Sequence, residues 1–420
     1  MLSHILLTFA FVSSMMTDTI KVNTSLGMSA VDLASRMAAE TADMDTALTR
    51  EVAVDIEGLA FFKDNEYGGE HSKGYTLPGF WLRPRLTYQP INAIRLELGA
   101  HALVFDGANK YPCYAYHDIA RWKGSQYQSG FHILPFFRAT AVWKKTTFVL
   151  GDIYGGASHG LMEPLFAPEL NLTQDPEMGF QLLHRRRRYT LDAWINWQSY
   201  IFEEDTHQEA FTVGVAQRIA LSPATARLQF YIPIDIIVQH RGGEQDLPQY
   251  ELGVQTLVNG GAGVGMTWHA GGRALQRLDA DVAALGCWQQ SGKLWPFDIG
   301  VAGTAGISAL FRYDFRVFGR VVGAKDFVPL YGSYFFSTLS RKVTDGRFAY
   351  VFTPQLGMEW SHTFARDYVL GAKAETYLTW TGRLTSPDIS PRPAAFANNF
   401  SFGVFFRCRP HIRIKRFRTR

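Results

Sequence analysis

The stretch that decides the fold is Ile94-Arg95-Leu96-Glu97-Leu98-Gly99-Ala100-His101-Ala102-Leu103-Val104. Its even-numbered residues are all apolar, whereas Arg95, Glu97 and His101 stand at odd-numbered positions. Successive side chains of a β-strand point to opposite faces of a sheet, so this period of two predicts a strand with one apolar and one polar face. A segment of roughly ten alternating residues is also what a strand needs to cross a membrane.

The same alternation recurs from Glu51 to the C-terminal region, and the connections between the alternating segments are in turn long and short. This parity is typical of an up-and-down barrel with turns on one side and loops on the other. We therefore predict an all-β fold, an antiparallel up-and-down transmembrane β-barrel of about 16 strands, with 14 or 18 as the alternatives. The predicted strands are residues 51–62, 75–88, 93–105, 130–143, 147–154, 179–185, 189–202, 209–221, 226–240, 249–270, 273–289, 297–308, 310–323, 347–363, 368–381 and 399–409.

Composition narrows the class of protein. The 420 residues include 42 Lys and Arg against 38 Asp and Glu, a net charge of +4, with 19% charged and 14% aromatic residues. Soluble domains carry roughly 25% charged residues, so an ordinary cytoplasmic enzyme is disfavoured. The balanced charge gives no reason to expect a nucleic-acid partner. Beyond the N-terminus no apolar run reaches about 18 residues, which excludes a bundle of membrane-spanning helices.

Tryptophan and tyrosine cluster near the ends of the predicted strands, as the aromatic girdles of membrane barrels do. With the alternation and the parity of the connections, this pattern over about residues 51–420 resembles the porin-like β-barrels of the Gram-negative outer membrane. The resemblance implies that the protein lies in the outer membrane of a Gram-negative bacterium and that outer-membrane lipid is one of its partners. One departure is that the chain continues through Arg407–Arg420 beyond its last cluster of phenylalanines.

The remaining segments are predicted to flank the barrel. Leu2–Val12 is apolar and followed by two serines, so residues 1–14 read as a signal peptide. Residues 15–50 form an N-terminal periplasmic segment with a short helix, because apolar residues after Ser29 have helical spacing. The barrel then covers residues 51–410, and residues 411–420 form a basic C-terminal tail, with a prolonged last strand as the alternative.

The polar faces of the predicted strands supply the candidate pore lining. A barrel of about 16 strands encloses a water-filled channel whose selectivity depends on such side chains. If the hairpin at Pro90 is symmetric, Arg83 faces Glu97 and Arg85 faces Arg95, which leaves an uncompensated positive pair. The predicted pore-lining residues are Arg83, Arg85, Arg95, Glu97, His101, His132, Arg138, Asp192, Arg218, Asp235, Arg277, Asp279, Asp281, Arg312, Asp314, Arg316, Arg320, Glu359, Lys373 and Glu375.

One connection has a distinctive composition. Residues 155–170 are rich in glycine and proline and carry Ser158, His159, Glu163 and Glu169. Such a loop either folds toward the lumen as a constriction or ligand-binding loop, or is a structured surface loop.

These features predict a channel for passive passage of small hydrophilic solutes, with a preference for anions. The first alternative is a nearly closed barrel that binds or anchors a surface glycan, and the second is a barrel-embedded hydrolase that uses Ser158 or His159. No catalytic, phosphate-binding or metal-binding motif is present, so we predict a protein that is not an enzyme and that has no cofactor or metal site. The oligomeric state is left open.

Overall fold

A computed structural model describes residues 32–107, 130–201, 208–243 and 253–417 of the chain, and the side chains of Gly130 and His132 are not described. The predicted signal peptide, residues 1–14, lies outside the described residues, as does the first part of the predicted N-terminal segment.

Sixteen antiparallel strands form a closed barrel, which confirms the predicted fold class. Each strand of the barrel pairs with the next barrel strand along the chain, and the last one, β19 (Ala395–Cys408), pairs with β1 (Glu51–Tyr67) to close the cylinder. Three short strands, β14 (Arg347–Phe348), β17 (Leu384–Ser386) and β18 (Ile389–Arg392), form a separate small sheet. The strands are β1 (Glu51–Tyr67), β2 (Tyr75–Ile91), β3 (Ile94–Phe105), β4 (Gly130–Trp143), β5 (Thr146–Asp152), β6 (Met178–Arg186), β7 (Tyr189–Ser199), β8 (Ala210–Ala220), β9 (Leu228–Arg241), β10 (Gln255–His269), β11 (Leu275–Ser291), β12 (Ile299–Phe311), β13 (Phe315–Lys325), β14 (Arg347–Phe348), β15 (Val351–Phe364), β16 (Tyr368–Thr381), β17 (Leu384–Ser386), β18 (Ile389–Arg392), β19 (Ala395–Cys408) and β20 (His411–Arg416).

The alternation places apolar residues on the outside of the barrel. Leu98 and Phe131, for example, are 62% and 63% exposed, although both are large and apolar. An outward apolar band of this kind is what contact with lipid requires. The chain is therefore an outer-membrane β-barrel, with the short turns on the periplasmic side and the long connections, such as residues 153–177 and 326–350, on the extracellular side.

Helical structure is short. Helix α1 spans Leu33–Ala38, where the Asp32 side chain caps the helix by accepting a hydrogen bond from the Ala34 amide, and helix α2 spans Leu170–Thr173. Single 3-10 turns occur at Thr46–Leu48, Gly156–His159, Glu163–Leu165, Arg312–Asp314 and Tyr334–Phe336. Within the described ranges, no helix has the length and apolar character needed to cross a membrane.

The C-terminal residues continue the barrel wall. Strand β20 pairs with the first residues of β1, from Glu51 to Asp55, just as β19 pairs with the rest of that strand. The part of the basic tail that the structure describes is thus strand as far as Arg416. The alternating Ile412 and Ile414, together with the free edge of β1, explain why these residues pair.

The hydrophobic core of the molecule lies inside the barrel. Residues 153–177 and 326–339 turn into the lumen, and their buried apolar side chains pack against inward-facing residues of the wall. Helix α1 packs there as well, with Leu33 and Met37 against Gly371 of β16. Three segments that are not barrel strands therefore fill the space that a porin would leave open.

Candidate functional site

The N-terminal segment occupies the lumen near the periplasmic end. The Glu40 carboxylate is bound by three arginines of the wall: Arg83 at 3.1 Å, Arg85 at 2.5 Å and Arg138 at 2.9 Å. Burial would raise the pKa of Glu40, but these guanidinium groups hold it well below its usual range. The basic cluster of the wall is therefore neutralised in part by a residue from outside the barrel strands.

Helix α1 is held by two further charged contacts with the wall. The Asp32 carboxylate forms an ion pair with Lys373, and Arg36 forms one with Glu359. The amide of Leu33 also donates a hydrogen bond of 3.0 Å to Glu359. Helix α1 is thus fixed to β15 and β16 by charge as well as by apolar packing.

The distinctive loop folds into the lumen, which is the first of the two alternatives that its sequence allowed. His159 lies between two carboxylates, with Nδ1 2.8 Å from Asp192 and Nε2 3.1 Å from Glu177. Its ring stacks on Trp194 with the ring centroids 3.5 Å apart. Burial would lower the pKa of His159, but the two carboxylates raise it to about 9. The protonated His159 ring therefore ties the loop to Asp192 of the barrel wall through an ion pair.

The other polar residues of this loop are also bound by the wall. Glu163 accepts a hydrogen bond of 3.1 Å from Arg320, which also pairs with Asp281 at 3.0 Å. Glu169 accepts a hydrogen bond of 2.5 Å from Lys63. Carboxylates of the loop thus pair with basic side chains of the barrel wall that face the lumen.

Ser158 and His159 do not form a nucleophile–base pair. The Ser158 hydroxyl accepts a hydrogen bond of 3.0 Å from the Glu40 amide, and both ring nitrogens of His159 are engaged by carboxylates. A hydrolytic serine needs a base within hydrogen-bond reach of its hydroxyl, and these contacts do not supply one. The geometry therefore gives this pair an anchoring role.

Most of the residues predicted to line a pore face inward, but they contact packed segments or one another. His101, Asp235, Asp279 and Glu359 are at most 1% exposed. Arg83, Arg95, Arg277 and Asp281 are partly buried, and the other inward-facing members of the set are buried: Arg85, Glu97, Arg138, Asp192, Arg218, Arg316, Arg320, Lys373 and Glu375. Inward orientation was predictable from the alternation, whereas burial results from the segments inside the barrel.

Two members of the predicted set do not lie on the lumenal wall, and the side chain of a third is not described. Arg312 and Asp314 lie in the 3-10 turn between β12 and β13, so they belong to the periplasmic rim rather than to the lumenal wall. The reason is that β12 extends to Phe311 and β13 begins at Phe315, later than the predicted turn near Ser308. The side chain of His132 lies outside the described residues.

The predicted register of the second hairpin is wrong. Arg85 pairs with Gly99, and Thr87 pairs with Glu97, because the turn lies at residues 92–93 and a bulge follows Tyr88. A turn centred on Pro90 would have placed Arg85 opposite Arg95. Arg85 in fact has acidic neighbours, among them Glu40, so no uncompensated positive pair arises here.

Two cavities among the lumenal residues are small. Each has a volume of about 50 Å³; one lies beside Lys63 and Lys373, and the other beside Glu40 and His101. Such a volume holds a few water molecules. In the described part of the chain, no group of three or more His, Cys, Asp or Glu side chains is arranged to hold a metal ion.

A polar pair that the sequence analysis missed lies on the outer face of the barrel. Asp64 of β1 pairs with Thr76 of β2 near the extracellular end of both strands, and the Thr76 hydroxyl donates a hydrogen bond of 2.8 Å to the Asp64 carboxylate. Glu66 points to the same side two residues further along the strand. Among the described strand residues, Asp64 and Glu66 are the only acids on the outward-facing positions of the wall.

The surroundings of this outer pair combine apolar and polar groups. Phe62, Phe80 and Phe402 are each about 45% exposed on the membrane side of the pair. Two strands away, the Thr376 hydroxyl donates a hydrogen bond of 2.7 Å to Asn398. This outer polar site, made of Asp64, Glu66, Thr76, Thr376 and Asn398, therefore lies above a phenylalanine surface where the outer leaflet meets the loops.

The fold and the location of this polar site define an outer-membrane barrel with polar groups at its lipid interface. The family model for "Lipid A 3'-O-deacylase-type" proteins matches residues 42–417, and the chain belongs to this family. The prediction that the chain is not an enzyme is therefore wrong, because this is an enzyme family and its model covers nearly the whole chain. The sequence contains no local catalytic motif from which membership of an enzyme family could have been predicted.

Solved structures of similar architecture are outer-membrane proteins. OprD from Pseudomonas aeruginosa is 10% identical, with 89% of this chain and 97% of that chain covered and a TM-score of 0.47. OmpT of Vibrio cholerae in its trimer form is also 10% identical, with 85% and 99% covered and a TM-score of 0.44. OccAB3 of Acinetobacter baumannii is 8% identical, with 86% and 99% covered and a TM-score of 0.43. No curated protein sequence gives a significant match.

Proposed function

We propose that this protein is an outer-membrane lipid deacylase that hydrolyses an acyl ester of lipid A at the outer polar site. Membership of the deacylase-type family supports the reaction class. The observation that carries the choice of site is the hydrogen bond from Thr76 to Asp64 on the outward wall. An enzyme acting on a membrane lipid needs its reacting groups where the lipid is, and the filled lumen offers the lipid no comparable access.

The position of the pair suits the substrate. Asp64 precedes the end of β1 by three residues, which corresponds to about 10 Å along a strand. The ester bonds of a lipid lie between its acyl chains and its polar headgroup. An acyl chain resting on Phe62 and Phe80 would therefore bring an ester carbonyl to the level of Thr76 and Asp64.

The chemistry requires a nucleophile and a base within hydrogen-bond reach, and the two oxygens satisfy that distance. In the proposed reaction, Thr76 Oγ1 attacks the acyl carbonyl carbon while the Asp64 carboxylate accepts the hydroxyl proton. The bond between the carbonyl carbon and the sugar oxygen breaks, and the proton passes to that oxygen to give a free sugar hydroxyl. Water then hydrolyses the acyl-threonine ester and releases a fatty acid.

The test uses the purified full chain in proteoliposomes that contain lipopolysaccharide, with released fatty acid measured by mass spectrometry. We expect the wild-type protein to release fatty acid from an ester-linked position and Asp64→Asn to release at least about 100-fold less, because general-base catalysis contributes typically 10²–10⁴-fold. Equal release by the two proteins would contradict the assignment of this site. Heat-modifiable migration on gels verifies that the variant is folded.

A passive channel is the second candidate, and the observation that favours it is the size and charged wall of the 16-stranded barrel. It requires the packed lumenal segments to leave the lumen. Planar-bilayer recordings test it directly. Stable conductance steps from the wild-type protein would support the channel, and we expect their absence because the N-terminal segment and the loop are bound to the wall by buried ion pairs.

A further inference from the structure

A large open cavity lies among the extracellular connections, and none of its lining residues belongs to the outer polar site. Its volume is about 690 Å³, and three connections line it: residues 293–296, 339–347 and 385–387. This size falls in the range of small-molecule binding sites, which is roughly 300–1,000 Å³. The cavity faces the side of the membrane on which the outer leaflet carries its saccharides.

The charged side chains that line this cavity are predominantly basic. Lys293, Arg341, Lys342 and Arg347 contribute positive charge, and Asp345 is the acidic residue of the lining. Clustered positive charge in a concave site attracts anions and concentrates them. The lining therefore favours an anionic ligand over a neutral one.

Three of the basic side chains are held in place before any ligand arrives. The guanidinium of Arg341 lies over the Tyr334 ring at 4.2 Å, and Lys342 Nζ donates a hydrogen bond of 2.7 Å to the Gly69 carbonyl. Arg347 pairs with Asp326 at 2.7 Å. Positioned donors lose less conformational freedom when they bind, which strengthens recognition.

Lys293 differs from the other three. It is exposed, and within the described residues it has no ion-pair or hydrogen-bond partner. Trp295 also borders the cavity, but it is only 5% exposed and belongs to the buried core, and its amide donates a hydrogen bond of 2.9 Å to the Gln289 side chain. The exposed Lys293 ammonium beside the three positioned basic groups suits a sugar that carries a negative substituent.

We propose that this extracellular cavity, defined by Lys293, Arg341, Lys342 and Arg347, binds an anionic saccharide. The ligand is a phosphorylated or carboxylated sugar of about disaccharide size, held by the basic side chains. The cavity shares no residue with the outer polar site and adds a saccharide-binding activity to the proposed ester hydrolysis. A phosphorylated lipid headgroup and an acidic polysaccharide are the two sources of such chemistry.

Isothermal titration calorimetry on the detergent-solubilised full chain tests the proposal with three probes. They are a bisphosphorylated glucosamine disaccharide, the same disaccharide without phosphates, and digalacturonate. We expect at least one of the anionic probes to bind at least about tenfold more tightly than the neutral disaccharide, because hydrogen bonds to charged groups are stronger than those between neutral groups. Stronger binding of the bisphosphate indicates a lipid headgroup, and stronger binding of digalacturonate indicates an acidic polysaccharide.

The decisive variant is Lys293→Glu, which removes no contact among the described residues and should leave the fold intact. We expect it to weaken binding of the preferred probe by at least about fivefold. Lys73→Glu is the matched control, because Lys73 is exposed on an extracellular connection but does not line the cavity. It should change the affinity by less than about twofold.

Three results would overturn the proposal: no binding of either anionic probe at millimolar concentration, equal binding of the neutral disaccharide, or equal weakening by the two lysine variants. Migration of both variants as folded, heat-modifiable species verifies that the comparison is between native barrels. Because none of the probes contains an acyl ester, the result is independent of whether Asp64 and Thr76 hydrolyse lipid.

Discussion

The Thr76 hydroxyl and the Asp64 carboxylate are joined by a hydrogen bond of 2.8 Å across the first hairpin, on the side of the wall that faces away from the lumen. The alternation of the two strands directs both side chains outward, next to phenylalanines that are also outward-facing. A reactive pair placed there meets a lipid substrate without opening the barrel.

The first prediction concerns the role of Thr76. Thr76→Val should reduce fatty-acid release at least about 100-fold because it removes the nucleophilic oxygen, whereas Thr76→Ser should retain activity. The assay is mass-spectrometric detection of released acyl chains. Thr146→Val is the matched control, since Thr146 also bonds through its hydroxyl to a neighbouring side chain, His184 at 2.9 Å, but at the periplasmic end. Full activity of Thr76→Val would exclude threonine as the nucleophile.

The second prediction concerns the buried carboxylate of Glu40. Glu40→Gln leaves the guanidinium groups of Arg83, Arg85 and Arg138 without this counter-charge in a buried site, which typically costs about 3–5 kcal/mol. The temperature at which the barrel loses its heat-modifiable migration should fall accordingly.

The control for this variant is Asp43→Asn. Asp43 pairs with Arg185 at 2.8 Å, but its side chain is 66% exposed, so the change should cost no more than about 1 kcal/mol. If the two variants unfold at the same temperature, the arginine cluster does not depend on Glu40.

The third prediction concerns the pH dependence of the extracellular loops. His71 is 2% exposed, its ring lies 4.5 Å from that of Phe348, and burial lowers the pKa of His71 to about 4. Above pH 6.5 the ring is neutral whether the loop is closed or open. As the pH falls from 6.5 to 4, the open form takes up a proton and the closed form does not, so the closed loop loses on the order of 3 kcal/mol.

Hydrogen exchange of residues 68–74, corrected for the intrinsic effect of pH, measures this opening. Protection should fall as the pH is lowered through that window, and His71→Phe should remove the dependence while it retains the aromatic packing. A pH-dependent loss of protection that persists in His71→Phe would assign the effect to another group.

The fourth prediction has the opposite sign and concerns His159. Its pKa is raised to about 9, so the folded barrel holds a proton that the unfolded chain releases at about pH 6.5. The stabilisation is complete below pH 6.5 and is lost as the pH rises to 9, a change of a few kcal/mol.

Thermal unfolding of the detergent-solubilised protein between pH 6 and pH 10 measures this effect. The unfolding temperature should fall with rising pH, and His159→Gln should unfold at a lower temperature than the wild type at pH 6 with a smaller dependence on pH. An unfolding temperature that rises with pH in the wild type would contradict the assignment of His159 as an imidazolium held by Asp192 and Glu177.

Much of the barrel could be predicted because strand alternation is a local property. The number of strands, their order and the inward orientation of residues such as Asp235 and Glu359 depend only on the period of two and on the parity of the connections. The register in which two strands pair is not a local property in the same way, because it depends on the turn and on both strands together. The turn at residues 92–93 sets the register of the second hairpin, the bulge after Tyr88 shifts the pairs beyond it by one residue, and nothing in the alternation of either strand indicates the bulge.

The outer polar site was missed for a related reason. The run Lys63-Asp64-Asn65-Glu66 interrupts the alternation and reads as the start of a loop, so the first strand was predicted to end at residue 62. In the structure, β1 continues to Tyr67 because β2 and β19 pair with it on both sides. Backbone pairing with two neighbours stabilises a polar segment as strand, and only then does Asp64 acquire an outward direction.

The sequence by itself determined that the chain forms an antiparallel membrane barrel with charges on the inside, because each strand encodes its two faces in consecutive residues. The tertiary structure decided what those charges do. Glu40, His159 and Glu169 reach the wall from segments distant in sequence, and these long-range ion pairs fill the lumen that the alternation alone would leave open. Long-range pairing also brought Asp64 beside Thr76, since only the closing of the first hairpin sets which residues of β1 and β2 meet.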